Sequence, residues 1–579
     1  MNTRSLAITA LFSLGLLSAC SRAPGPGINA ATRPGENQSQ TFPEANTLQV
    51  TGRLIYERKD FFTDATGQHP SLRHDDAPIR LADVVAIDAT TNQQLQFQAG
   101  SSDFNGRFTI SLPRGHKFLL GVIASTLSSR GRANIVVRDV LTGDLFMALF
   151  TDPATGGPFS VDPRNEFFEV PTPLRVALTP NNSPPSPADR PAAPFHIMDS
   201  ALDESEVIRN AGGNAPPLVT FLWNATSNVG SFFETNVPPF GPAIFLLGGD
   251  TLFDNTDDQD VSVIRHEYGH SVANAFSKDA SLGGAHGSND VLYPSLAYSE
   301  GFADFISGVV GQSPAYTDSV GPDNPAPFFF VLNLEDPTLS TVPEVGPRTI
   351  RRESTVFQLL WRTVAGANGL PDLNADGLAV PFASFFRGFI ALRNQLVYPS
   401  LEDLLKSLVA TGAVTNAQVQ ALLTQAPVAS ITFPPSGTDV FPTPVAIPGT
   451  LTDACRTIAT TDVVNDGIDA ATRIFSVTVP TTETVTFKLT LLGVPGTNAS
   501  GTNVDMNVRQ LDNTFADATA NFQLTQAPGP QTVTQTASGT LAPATYIVEI
   551  TGRPFDPVTG AFTNKSGQMV NYRLDVTSP

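Results

Sequence analysis

The sequence predicts a multidomain chain in which an α+β unit is flanked by two all-β sandwiches. Three observations predict it. Short alternating apolar segments separated by turn residues fill the regions before Thr179 and after Pro448, helix-length apolar periods fill the middle, and Pro-rich stretches stand at both junctions. At 579 residues the chain is too long for a single core. Its 34 Lys and Arg are outnumbered by 54 Asp and Glu, and with no basic block the composition argues against a nucleic-acid partner.

At the N-terminus, Arg4 precedes an apolar stretch from Leu6 to Leu17, too short to span a bilayer comfortably and shaped like an export signal. It ends in Leu17-Ser18-Ala19-Cys20, which resembles a bacterial lipobox. The resemblance implies that residues 1–20 are a lipoprotein signal peptide with its lipobox, cleaved before Cys20, with a lipid attached to that cysteine. Ser21 is not the Asp that typically holds such proteins at the inner membrane, so an outer-membrane or cell-surface address follows, with the membrane touched only through the lipid. Residues 21–46 are poor in large apolar side chains and read as a tether. The other cysteine, Cys455, has no ligand-spaced Cys or His neighbour and reads as a small packed or half-exposed thiol.

Residues 47–180 carry strand-like segments at Leu48 to Leu54, Asp83 to Ile87, Phe108 to Leu112 and Phe118 to Ile123, with Asn105-Gly106 as a tight turn. Val50-Thr51-Gly52-Arg53, Ala82-Asp83-Val84-Val85 and Asp103-Phe104-Asn105-Gly106-Arg107-Phe108 make the region resemble a transthyretin-type sandwich of the carboxypeptidase regulatory kind. That resemblance implies a spacer. Residues 181–194 are a Pro-rich linker.

In residues 195–430, Leu202, Val207 and Ile208 suggest a helix, and Leu218 to Trp223 and Ala243 to Leu247 read as strands. The second of these is a candidate edge for binding an extended backbone. A helix over Val261 to Phe276 follows, with Asp257 or Asp260 as its N-cap. Further helices are expected at Leu296 to Val310, Ser354 to Val364, Phe382 to Leu392, Leu401 to Leu408 and Asn416 to Leu423. After a Pro-rich linker at 431–450, residues 451–579 alternate again, with strands at Ile474 to Val479, Thr484 to Leu492, Val504 to Leu511, Tyr546 to Ile550 and Tyr572 to Val576. Phe475-Ser476-Val477-Thr478-Val479, Val504-Asp505-Met506-Asn507-Val508 and Leu541-Ala542-Pro543-Ala544-Thr545-Tyr546 resemble the bacterial pre-peptidase C-terminal domain, with Ala544 where Gly is usual.

The chemistry centres on His266-Glu267-Tyr268-Gly269-His270. On a helix the two histidines share a face one turn apart, so they can share a metal while Glu267 addresses a water on it. The spacing points to a zinc hydrolase. A zinc site open to water needs a third protein ligand. Ala273 and Phe276 stand where metzincins place Gly and His, which excludes that class. Glu300 and Asp304 lie at i, i+4, so the first can ligate while the second orients a histidine. His286, in the Gly-rich loop Ser281 to Gly287, is the rival ligand.

His266-Glu267-Tyr268-Gly269-His270 and Ser299-Glu300-Gly301-Phe302-Ala303-Asp304-Phe305 resemble the gluzincin metallopeptidases, thermolysin-like and especially fungalysin-like enzymes. The resemblance implies a zincin-type domain, zinc on His266, His270 and Glu300, Asp304 behind His266, Glu267 as general base, and a protein or peptide substrate. Such enzymes stabilise the oxyanion with His or Tyr, yet no histidine follows His286; Tyr316, Arg348, Arg351 and Arg352 are the candidates. The alternative is a non-catalytic surface adhesion or carbohydrate-binding protein that keeps the zinc-binding domain. Asp372, Asn374 and Asp376 match the first half of a calcium loop, but Ala383 stands where its twelfth-position acid belongs, so a plain Asx-type turn is the favoured reading and calcium the alternative. Asp254, Asp257, Asp258 and Asp260 could likewise hold calcium or only start the helix.

Overall fold

The computed structural model describes residues 46–62, 71–95, 99–129, 131–178, 190–212, 214–228, 230–249, 257–279, 281, 286–287, 290, 292, 294–320, 328–341, 349–394, 399–425, 433, 443–456, 472–493, 503–510, 534–553 and 569–578. The lipobox with Cys20, the tether, most of the two Pro-rich linkers, Asp254 and Arg348 lie outside them. Within them the chain is multidomain, with β-sheets before and after a mixed middle unit that carries seven α-helices. No described helix is long and apolar enough to cross a membrane.

The first region forms two five-stranded sheets. Thr47–Phe62 pairs antiparallel with Ser71–Pro78 and Arg107–Pro113 and parallel with Phe167–Glu169 and Leu174–Val176. Asp83–Asp88 and Lys117–Ile123 are at the centre of the second sheet. The alternation read from sequence sets the register: Leu48, Val50 and Gly52 face Leu112, Ile110 and Phe108, whose side chains turn inward while Thr109 and Ser111 remain outside. Gly106 has φ +73°, and a Cβ there would lie 2.2 Å from the Leu54 carbonyl oxygen, so the turn needs glycine on both counts.

One strand of this region departs from the spacer expectation. Ile135–Asp139 pairs parallel with Val219–Trp223 and joins a four-stranded sheet whose order continues to Gly241–Phe245 and Phe232–Val237. The middle sheet is therefore built from chain on both sides of the first Pro-rich stretch. All five residues of Val219–Trp223 are buried, as its place between two paired strands requires. The expected edge at Ala243 to Leu247 is corrected: Gly241–Phe245 is paired on both sides, and the terminal strands of the sheet are Phe232–Val237 and Ile135–Asp139.

The helices follow as α1 (Ala193–Gly212), α2 (Val261–Phe276), α3 (Pro294–Gly311), α4 (Glu353–Val364), α5 (Phe382–Ala391), α6 (Leu401–Ala410) and α7 (Asn416–Gln425). The residue preceding α2 is Asp260, but its carboxylate does not cap the helix. It accepts instead from the amide and hydroxyl of Ser319 at 3.1 and 2.8 Å, tying α2 to the hairpin Ala315–Val320/Phe328–Asn333. One apolar cluster runs from the first two sheets through α1 to α7. The C-terminal region packs two four-stranded sheets around a second core that includes Val477, Phe487, Val508, Val548, Tyr572 and Leu574.

Candidate metal centre

Helices α2 and α3 bring three donor atoms to one point. His266 Nε2 lies 3.2 Å from His270 Nε2, and Glu300 Oε2 lies 3.1 Å from the first and 3.3 Å from the second. All three side chains are buried. Donors held tetrahedrally about 2.0–2.1 Å from a zinc ion sit about 3.3–3.4 Å apart, so the triangle is of the right size.

The hydrogen bonds behind the histidines decide their tautomers. Asp304 Oδ1 lies 2.8 Å from His266 Nδ1 and accepts a hydrogen bond from its N–H. Ser299 donates its hydroxyl proton to Asp279 Oδ2 at 3.2 Å, which leaves its oxygen to accept from His270 Nδ1 at 3.1 Å. In the neutral imidazoles both Nε2 atoms would then present lone pairs toward each other and toward a carboxylate oxygen. That arrangement repels itself unless a proton or a cation lies between, and its mixture of imidazole and carboxylate donors suits zinc.

The spacing depends on two glycines. A Cβ on Gly269 would come within 2.6 Å of Ile306 and 3.2 Å of the Ala303 backbone, so glycine lets α2 approach α3. A Cβ on Gly301 would meet Val356 at 2.6 Å and the Glu353 carbonyl at 3.0 Å, which sets α3 against α4.

Glu267 is buried, its Oε2 has no hydrogen-bond partner, and burial raises its pKa against the pull of His266 and His270. Burial also opposes charge on both histidines, but the carboxylates prevail: Asp304 and Glu300 push His266 well up, and Glu300 pushes His270 up. Glu300 is held well below the usual carboxylate range although burial alone would raise it, because His270, His286 and His266 surround it.

Of the oxyanion candidates, Tyr316 is placed at the centre, its ring edge-on to His266 with centroids 5.7 Å apart. Burial and the nearby carboxylates, Asp318 first, keep its phenol protonated far above neutral pH. Arg351 is exposed, while Arg352 is buried and feels Asp290. His286 is not one of the three converging donors; its Nε2 stands 3.6 Å from Glu300 and 3.5 Å from Glu353. The sequence reading missed Glu353, Asp279 and the use of Ser299. Ser299 directly precedes Glu300 and was legible; the other two arrive from distant segments, without a local signal.

The acids before α2 divide. Asp258 is ion-paired with Arg190 at 2.7 Å, whereas Asp257 and Asp260 converge with Asp318, their ligand oxygens within 4.8 Å of one another. Burial and then Asp318 raise Asp257 and Asp260 well above the usual carboxyl range. A third group joins Asp372 and Asp376 to Glu335.

No family model and no curated protein matches the chain. Among solved structures it is similar to the pre-peptidase C-terminal domain of a collagenase from Bacillus anthracis, at 12% identity and TM-score 0.14, covering 23% of this chain and 92% of that one. It is also similar to an isomalto-dextranase of Arthrobacter globiformis T6, at 16% identity and TM-score 0.12, covering 18% of this chain and 16% of that one.

Proposed function

We propose that the chain is a zinc-dependent endopeptidase of gluzincin type, exported and anchored to the outer membrane or cell surface through lipidated Cys20. The observation that supports it most is the convergence of His266 Nε2, His270 Nε2 and Glu300 Oε2 beside a buried, unpartnered Glu267 oxygen. Zinc on these ligands would polarise a peptide carbonyl and lower the pKa of water toward about 7. The residues supply the rest. Asp304 and the Ser299–Asp279 pair fix the imidazoles, and Glu267 takes a proton from the attacking water and returns it to the leaving amine. The Tyr316 phenol donates to the developing oxyanion. Phe232–Val237, a terminal strand of the middle sheet, offers its backbone to an extended peptide.

The test pairs zinc analysis with hydrolysis of casein and a peptide library by the full chain and its Glu267→Gln variant. The reading expects bound zinc in both proteins and a kcat lower by about 10²–10⁴ in the variant. Stoichiometric zinc without hydrolysis by the unmodified chain would sink the enzyme in favour of a surface adhesion or carbohydrate-binding protein.

A further inference from the structure

The motif Asp372-Leu373-Asn374-Ala375-Asp376-Gly377 lacks the twelfth-position acid that closes a calcium loop, since Ala383 stands there, at the start of α5. The fold brings an acid from elsewhere. Glu335 follows the strand Phe328–Asn333 and is fully buried. Its Oε1 accepts from the Asn374 amide at 2.9 Å, while its Oε2 has no hydrogen-bond partner. Ligand oxygens of Glu335, Asp372 and Asp376 all lie within 4.8 Å of one another. Oxygens on a shared calcium ion at about 2.3–2.6 Å can be no more than about 5 Å apart, so these three are within range of one ion.

The charge balance agrees. Three carboxylates meet one guanidinium, Arg362, whose Nε lies 3.3 Å from Asp376 Oδ2; Asp376 Oδ1 has no hydrogen-bond partner. A buried carboxylate oxygen left without a partner is costly, and a divalent cation with a preference for oxygen is a ligand that would remove the cost at Glu335 Oε2 and Asp376 Oδ1. The loop is closely seated against α4: a Cβ on Gly377 would lie 2.5 Å from the Ala365 carbonyl oxygen, and the Leu378 amide donates to the Arg362 carbonyl at 2.7 Å.

We propose that Asp372, Asp376 and Glu335 form a calcium site, with Glu335 in place of the absent twelfth ligand. Bound calcium joins the strand before Glu335 to the C-terminal end of α4, whose first residue, Glu353, lies beside His286. The site shares no residue with the proposed zinc centre and stands or falls apart from it.

The chain has two tryptophans, and one of them, Trp361, interacts with the Glu335 carboxylate, so terbium in this site would be excited through tryptophan. The experiment strips the full chain with EGTA, titrates terbium, displaces it with calcium chloride and records melting with and without calcium. Unmodified protein should give sensitised emission that calcium quenches, and a calcium-dependent rise in Tm. Glu335→Gln and, on the loop itself, Asp372→Asn should each weaken terbium and calcium binding by about tenfold or more while zinc content is unchanged. No sensitised emission from the unmodified chain, or the same calcium affinity in both variants, would overturn the proposal. Should Glu335→Gln fail to fold, Asp372→Asn gives the same reading alone. Loss of zinc hydrolysis with calcium binding intact would count against the peptidase and leave this site standing.

Discussion

Two neighbouring regions of the middle unit bury ionisable side chains and treat them in opposite ways. Along the seam between the first sheet and helices α1 and α2, cations and carboxylates pair, with Glu204 of α1, buried with both oxygens unpartnered, as an exception. Arg80 pairs with Asp199 and, at 2.7 Å, with Asp203; Arg265 reaches Asp203 at 2.9 Å; Arg73 pairs with Asp60; Tyr56 donates to Asp199 at 3.0 Å. At the candidate metal centre, one residue further along α2, His266 Nε2, His270 Nε2 and Glu300 Oε2 converge within 3.3 Å of one another. Consecutive residues Arg265 and His266 lie on different faces of α2, which keeps the two systems apart. A cavity of about 480 Å³ opens on the seam and is lined by residues that include Arg58, Arg73, Arg80, Asp199, Asp203 and Arg265. Paired charge suits a structural seam, whereas converging donors are the arrangement that the proposed zinc centre would use.

The contrast can be broken most directly at the centre. Glu300→Ala should abolish stoichiometric zinc, whereas Asp304→Ala should keep the ligands and weaken zinc affinity by about 10–100-fold, both read by metal analysis and competition with a chelator. An equal effect of the two changes would erase the distinction between ligand and support. On the seam, Arg80→Met leaves Asp199 buried without its cation and should cost about 3 kcal/mol in denaturant unfolding, with zinc content unchanged.

A smaller effect is expected from His196, which burial pushes down to about 4, against the pull of Asp60 and alongside the repulsion of Arg58, Arg73 and Arg265. Its folded pKa lies below the unfolded value of 6.5, so the unfolded chain binds the extra proton between these limits. Stability from this group is complete above the unfolded pKa and declines as pH falls toward the folded one, reaching roughly 2 kcal/mol of loss near pH 5. His196→Gln should flatten that part of the pH profile; an unchanged slope would show that the imidazole is not held neutral. The smallest change is expected at the cross-strand pair Arg58–Asp75, 2.7 Å apart with Asp75 half exposed, where Asp75→Asn should cost less than about 1 kcal/mol.

The centre was legible to the extent that it is local. Periodicity gave α2 from Val261 to Phe276 as observed, and the i, i+4 spacings of His266 with His270 and Glu300 with Asp304 place each pair on one face. Ranking Glu300 above His286 came from the rigidity of a helix relative to a loop, and only Glu300 joins the convergence. Glu353, Asp279 and Glu335 were not legible, because an acid without spacing to another ligand has no periodic mark and its role is created by tertiary contact. For the same reason Ile135–Asp139 was missed as a partner of Val219–Trp223: a parallel pair joins segments that no turn connects. Asp260 was read as a cap from its position, and the competing donors of Ser319 took its carboxylate.

That parallel pair bears on the modularity of the molecule. A chain cut at the first Pro-rich stretch to liberate the helical unit would lose Ile135–Asp139 and turn Val219–Trp223, buried at every position, into an open sheet edge, which is a template for aggregation. The first region is thus a graft rather than a detachable module. Insertion or recombination at that junction carries the cost of an unfinished sheet, so the helical unit and the region before it are expected to have been inherited together.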